Sequence, residues 1–291
     1  MAGEFLSVQN ISSVDDNDIC TAVNDVIASY SNFEEHDKNQ ILIQEMISDV
    51  SMSGVLLTKE LNSGAPYYVI NYDDETGRTV SLSSNGMIVA ISSWGNSFGG
   101  KVKIYNYASG SWTQLGSDID GEAADDASGR SVSLSDDGTI LAIGAYGNDG
   151  NGSNAGHVRV YQYASGSWTQ LGSDIDGEAA GDQSGQSVSM SNDGTIVAIG
   201  AYWNDGNGSN AGHVRVHQYA SGSWTQLGSD IDGELAGDYN GWSVSLSSDG
   251  TILAIGAIYN DGGGSNAGHV RIFQYASGSW TQLGSDIDGE A

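Results

Sequence analysis

Behind Gly129 the chain reads SVSLS (Ser131–Ser135), Asp-Asp-Gly, TILAIGA (Thr139–Ala145), an eleven-residue Gly/Asn/Asp loop, HVRVYQY (His157–Tyr163), Ala-Ser-Gly and SWTQLG. Short apolar runs that alternate with small or polar residues between Gly, Asn and Asp clusters have the period of strands. Asp-Gly between the first two runs marks a tight hairpin, because glycine accepts the positive φ that such turns require. The pattern predicts four antiparallel strands per unit.

The unit recurs. Tyr107–Glu122, YASGSWTQLGSDIDGE, returns letter for letter at Tyr163–Glu178, Tyr219–Glu234 and Tyr275–Glu290, which fixes a period of 56 residues. A unit of this kind cannot bury its own apolar faces and must stack on its copies. Side-chain bulk rises from the serine-rich first run to Trp168 on the last, with Trp112, Trp224 and Trp280 in the other copies. That gradient suits a first strand near a crowded axis and a last strand at a wider rim, as in a β-propeller. The predicted fold is all-β: a propeller-like array of four four-stranded antiparallel blades at about 67–122, 123–178, 179–234 and 235–291. The first blade is shortened by four residues between Ile91 and Lys101.

Residues 1–66 have a different pattern. Ile19, Val23, Val26, Ile27 and Tyr30 fall at helical spacing, as do Ile43, Met46, Ile47 and Val50. NSGAP, with Pro66 the only proline, marks a boundary. The expectation is a small helical N-terminal segment of two or three helices.

The series G-x-SVSLS-x-DG-TI-x-AIGA, NDG-x-GSNAGHVR, W-T-Q-L and D-x-D-G-E resembles the FG-GAP repeat, the blade unit of integrin α-subunit propellers and of many large bacterial and algal surface proteins. The likeness extends over residues 67–291. It implies a propeller used for adhesion or recognition, usually of about seven blades, at a cell surface, outside the cell or on a virion. Two departures matter. Asp136–Gly138 is only a tight turn where calcium-binding members carry a longer DxDxDG loop, so that site is not carried over. The phenylalanine and proline of the family name are replaced, as in Ser184-Gly185 and Gly200-Ala201-Tyr202.

Charge narrows the partners. Thirty-seven acidic residues against nine basic ones give a formal charge of -28, which repels phosphate backbones and anionic membrane. Neither nucleic acid nor an anionic membrane surface is expected as a partner, and no stretch approaches the roughly 18 to 20 apolar residues of a membrane span. Cys20 is alone, so no intrachain disulfide forms, and MAGEFLSVQN lacks the basic and apolar regions of a signal peptide.

Catalysis needs unlike groups at one point, whereas copied residues are spread by the repeat. No nucleophile–base pair, phosphate loop or nucleotide fold is visible, so the chain reads as not an enzyme. His157, His213 and His269, with Lys101 in the first copy, are held one per blade, and no shared zinc site is expected from them. Arg159, Arg215 and Arg271 alternate with valines and call for a carboxylate, expected from a linker aspartate. Calcium is the candidate cofactor: Asp118, Asp120 and Glu122 of the linker cluster hard oxygen donors, and Asp149, Asp205 and Asp261 of the long loop offer the same chemistry. Turn formation by Asn, Asp and Gly also accounts for these residues.

In a four-stranded meander the linker, the start of strand one and the long loop share one sheet edge. The copies differ there. Ala127, Gln183 and Tyr239 occupy one position; Arg130, Gln186 and Trp242 another; Gly147, Trp203 and Tyr259 a third. The candidate ligand-binding set is therefore Trp203, Tyr259, Tyr239, Trp242 and Gln186, on a face suited to a protein or glycan. The alternative is a structural scaffold that self-associates and is attached through residues 1–66.

Overall fold

The computed structural model describes residues 56–57, 69–70, 78–94 and 99–290, all within one unit, Met52–Ala291. Strands β1 (Leu56–Leu57) and β2 (Val69–Ile70) pair antiparallel. The rest of the expected helical segment lies outside the described residues; at its end, residues 56–57 are strand rather than helix.

Four sheets follow, one per repeat. The first holds β3 (Thr79–Leu82), β4 (Ile88–Ser93), β5 (Lys101–Ala108), β6 (Ser111–Gln114) and β7 (Ile119–Asp120). The second holds β8 (Ser131–Leu134), β9 (Ile140–Ala145), β10 (His157–Ala164), β11 (Ser167–Gln170) and β12 (Ile175–Asp176). The third runs through β13 (Ser187–Met190), β14 (Ile196–Ala201), β15 (His213–Ala220), β16 (Ser223–Gln226) and β17 (Ile231–Asp232). The fourth runs through β18 (Asn240–Leu246), β19 (Ile252–Ala257), β20 (His269–Ala276), β21 (Ser279–Gln282) and β22 (Ile287–Asp288).

Each sheet is an antiparallel meander of four strands, as the alternation predicts. The acidic linker is more than a connection. β12 returns to β10, pairing His157 with Asp176 and Val158 with Ile175, so the outer strand is made of two pieces on either side of a Leu-Gly kink. Ile175 is the reason: it buries its side chain while Asp176 points outward. Ser165 and Gly166 both have positive φ, the signature of the primed two-residue hairpin between β10 and β11.

The core lies between blades, not within them. Val102, Ile104 and Ile119 of the first blade pack on Leu134, Leu141 and Ile143 of the second, and equivalent clusters fill the next two interfaces. The inner strands β3, β8, β13 and β18 neighbour one another in order, which places them at the axis of a propeller-like array. Close approach explains their serines. Ser81, Ser133 and Ser189 accept hydrogen bonds through Oγ from the backbone N–H of Leu134, Met190 and Leu246 in the following blade.

Among the described residues the trailing face of the fourth blade is left exposed. Ile287 is 59% exposed, whereas its counterparts Ile119, Ile175 and Ile231 are 4–6% exposed. Val270 and Leu283 are exposed with it.

Candidate recognition face and blade-interface clusters

Three positions per blade build one edge of the array. Gly241, with φ +87, sits where a Cβ would come within 2.6 Å of the His213 carbonyl oxygen, so only glycine fits. The register slips between Asn240 and Ser243, and this bulge turns Trp242 outward. Tyr239 has φ +57, and Gln183 and Ala127 share that left-handed conformation. A bulky residue held there is strained, and such strain collects at functional sites.

The side chains join into a row that crosses all four blades. Arg78 lies 4.6 Å from the Trp94 ring centre, and Arg130 lies 4.8 Å from Trp94 and 5.9 Å from Tyr146. Arg130 Nε donates to Gln186 Oε1 at 3.0 Å. Beyond it Tyr202 is a hub, with ring centres of Trp203 at 5.5 Å, Tyr239 at 5.8 Å and Trp242 at 5.0 Å. Tyr259 stands edge-on to Tyr239 at 5.1 Å. Tyr202 donates its hydroxyl proton to Gln183 Oε1, and burial raises its phenol pKa.

Trp203, Trp242 and Tyr259 are 40%, 37% and 47% exposed. Of the residues expected from sequence, these three and Tyr239 come together; Gln186 is buried beneath the row as the acceptor for Arg130. Sequence comparison of the copies missed Tyr202, Tyr146, Trp94 and Arg78. The signal was present in the residue that follows strand two, which is Trp94, Tyr146 and Tyr202 in the first three blades.

Away from the row, the acidic residues have separate duties. Asp118 receives Lys101 Nζ at 2.9 Å and Asp120 receives it at 3.4 Å. Asp149, Asp205 and Asp261 each accept a loop amide, from Asn154, Asn210 and Asn266, all at 2.7 Å. Glu122 faces His157 Nδ1 at 3.9 Å and Arg159 at 3.5 Å. The arginines pair with the linker glutamate rather than a linker aspartate side chain. The aspartate contributes its backbone carbonyl instead, as Asp120 does to Arg159 at 2.8 Å.

The histidines do not converge on one another, yet each meets carboxylates. Among the described residues three groups bring one donor atom each within 4.8 Å: Glu122, His157 and Asp174; Glu178, His213 and Asp230; Glu234, His269 and Asp286. None of Asp118, Asp120, Asp149, Asp205 and Asp261 belongs to such a group. Burial, then the neighbouring arginine, lowers the His157 pKa and takes His213 down to about 4.

These sheets stacked about their serine-rich inner strands define a repeat protein of the β-propeller class. The FG-GAP repeat family matches residues 118–161, 174–216 and 231–273, so residues 118–273 belong to that family. No curated protein matches the chain. Among solved structures, the periplasmic gluconolactonase of Pseudomonas aeruginosa is similar at 16% identity, over 81% of this chain and 67% of that one, with TM-score 0.54. A protein of Bacteroides uniformis assigned as a 6-phosphogluconolactonase is 11% identical over 73% of this chain and 55% of that one, TM-score 0.52. A counterpart from Bacteroides fragilis gives 15%, 72%, 54% and 0.51. The chain spans little more than half the length of these two Bacteroides proteins. At such identity the likeness shows the fold alone. Among the described residues no helix is long and apolar enough to cross a membrane.

Proposed function

We propose that the array is a non-enzymatic recognition module, at a cell surface, outside the cell or on a virion, whose aromatic row binds an extended glycan. The observation that carries this reading is the cluster of Trp203, Tyr239, Trp242 and Tyr259 around Tyr202. Exposed ring faces offer apolar contact to sugar C–H groups, and the neighbouring guanidinium and amide groups offer hydrogen bonds. A protein ligand would use the same anchors. The reading assigns no catalytic step and needs no calcium at the row; calcium on the acidic linkers would act as a clamp rather than a ligand contact.

Binding of the full chain to a glycan array, compared with the Trp203→Ala plus Trp242→Ala variant, tests it. Selective retention of glycans by the wild type and loss in the variant is the expected result. Equal binding by both ends the proposal. A scaffold role draws on a different observation, the trailing face of the fourth blade left exposed among the described residues. It predicts self-association that survives the double substitution.

A further inference from the structure

We propose that each of the three blade interfaces binds one zinc-class divalent cation between a histidine Nδ1 and one carboxylate oxygen from each of two successive acidic linkers. The sites are Glu122, His157 and Asp174; Glu178, His213 and Asp230; and Glu234, His269 and Asp286. Each joins the linker leaving one blade to the third strand and linker of the next.

Distance is the first argument. Nδ1 stands 3.8 to 3.9 Å from the nearer oxygen of each carboxylate in all three copies. That is too long for a hydrogen bond, which ends near about 3.2 Å. It exceeds by a few tenths of an ångström the roughly 3.4 Å between donors that surround zinc tetrahedrally at about 2.1 Å. The carboxylates are the solvent-facing members and can close that difference.

Orientation is the second. Each aspartate has one oxygen held by a hydrogen bond and the other toward the imidazole, and each glutamate turns one oxygen to an arginine and the other to the imidazole. Gln170, Gln226 and Gln282 donate to Oδ1 of Asp174, Asp230 and Asp286, leaving Oδ2 toward the histidine. Arg159, Arg215 and Arg271 lie 3.5 to 3.9 Å from Oε1 of Glu122, Glu178 and Glu234, leaving Oε2 toward it. Outer partners that fix ligand orientation in this way are a regular feature of metal sites.

Independent support comes from the imidazoles. His269 is 5% exposed, and its Nδ1, the atom that faces the two carboxylates, has no hydrogen-bond partner. Buried polar atoms are rarely left so. A nitrogen and two carboxylates with a fourth position for water suit zinc, whereas calcium takes six to eight oxygens.

The first blade is a natural contrast. Lys101 replaces the histidine, its ammonium sits against Asp118 and Asp120, and Pro66 stands where the later copies have glutamate. A cation is built in there, so the chain should take three ions and not four.

Equilibrium dialysis of the full chain against zinc, in physiological salt with excess magnesium and calcium to occupy the diffuse acidic surface, counts tight sites. The expected result is three per chain, falling to two in His213→Gln. None should remain in His157→Gln, His213→Gln, His269→Gln. Because those imidazoles are buried, a second variant keeps them: Asp174→Asn, Asp230→Asn, Asp286→Asn should also lose tight zinc while retaining its β circular dichroism. Cobalt(II) should give visible d–d bands in the wild type that both triple variants lack. No zinc retained against magnesium and calcium, or an unchanged count in the folded aspartate variant, overturns the proposal.

Discussion

The indole Nε1 of Trp224 donates to the carbonyl oxygen of Leu171 at 2.7 Å, joining the rim of the third blade to the rim of the second. Trp168 with Leu115 and Trp280 with Leu227 repeat the bond. The ring lies over Gly172, φ +79, whose absent Cβ would come within 2.9 Å of the indole. Trp224→Phe should cost about 1 kcal/mol by leaving that carbonyl without its donor. Gly172→Ala should cost more than Gly222→Ala, since both have positive φ but only Gly172 is crowded. Denaturant midpoints of the three variants check the ranking, and equal losses at the two glycines would contradict it.

The axis has its own lock. Ser133→Ala removes the acceptor for the Met190 N–H and should cost about 1–2 kcal/mol. Ser245, at the equivalent position in the fourth blade, is exposed, and Ser245→Ala should stay within about 0.5 kcal/mol. Urea titration of both variants distinguishes a bond between blades from a general preference for serine.

Burial between blades predicts unequal effects of one substitution in two copies. Ile231→Ala should cost about 2–4 kcal/mol, because Ile231 is packed against the fourth blade. Ile287→Ala should cost less than about 1 kcal/mol, since Ile287 faces solvent. Thermal unfolding at several protein concentrations is the measurement. A large loss at Ile287 would mean that this face is covered in solution.

Acid should loosen the third blade through His217. Burial, reinforced by Arg215, takes its pKa down to about 4, and its Nδ1 has no partner. The neutral ring is the form the fold accepts, so stability is intact above the unfolded value near about 6.5. It declines as pH falls from there toward about 4, by up to about 3 kcal/mol. His217→Phe, the residue present as Phe273 in the next copy, should remove that part of the decline. Denaturation at neutral and acidic pH, with chelator present, should show the variant's advantage growing on acidification; parallel profiles would refute it.

The period of 56 residues, the alternating runs and the turn glycines made four antiparallel blades legible, because strand pairing within a meander is local and each turn carries its own chemistry. Copy-to-copy variation likewise pointed to Trp203, Tyr239, Trp242 and Tyr259. Tyr202, the ring they surround, escaped notice because its role is set by contacts between blades.

What the tertiary structure alone decided is which chemical groups meet. The linker folds back on the third strand at His157–Asp176, and this return brings Asp174 to His157 while Glu122 arrives from the preceding linker. Glu122 and His157 stand 35 residues apart and His157 and Asp174 stand 17 apart. No local pattern encodes such a meeting. The sequence by itself determined the unit and its multiplication, through propensity and period; the stacking of units determined the sites, because it sets the distances between side chains that belong to different blades.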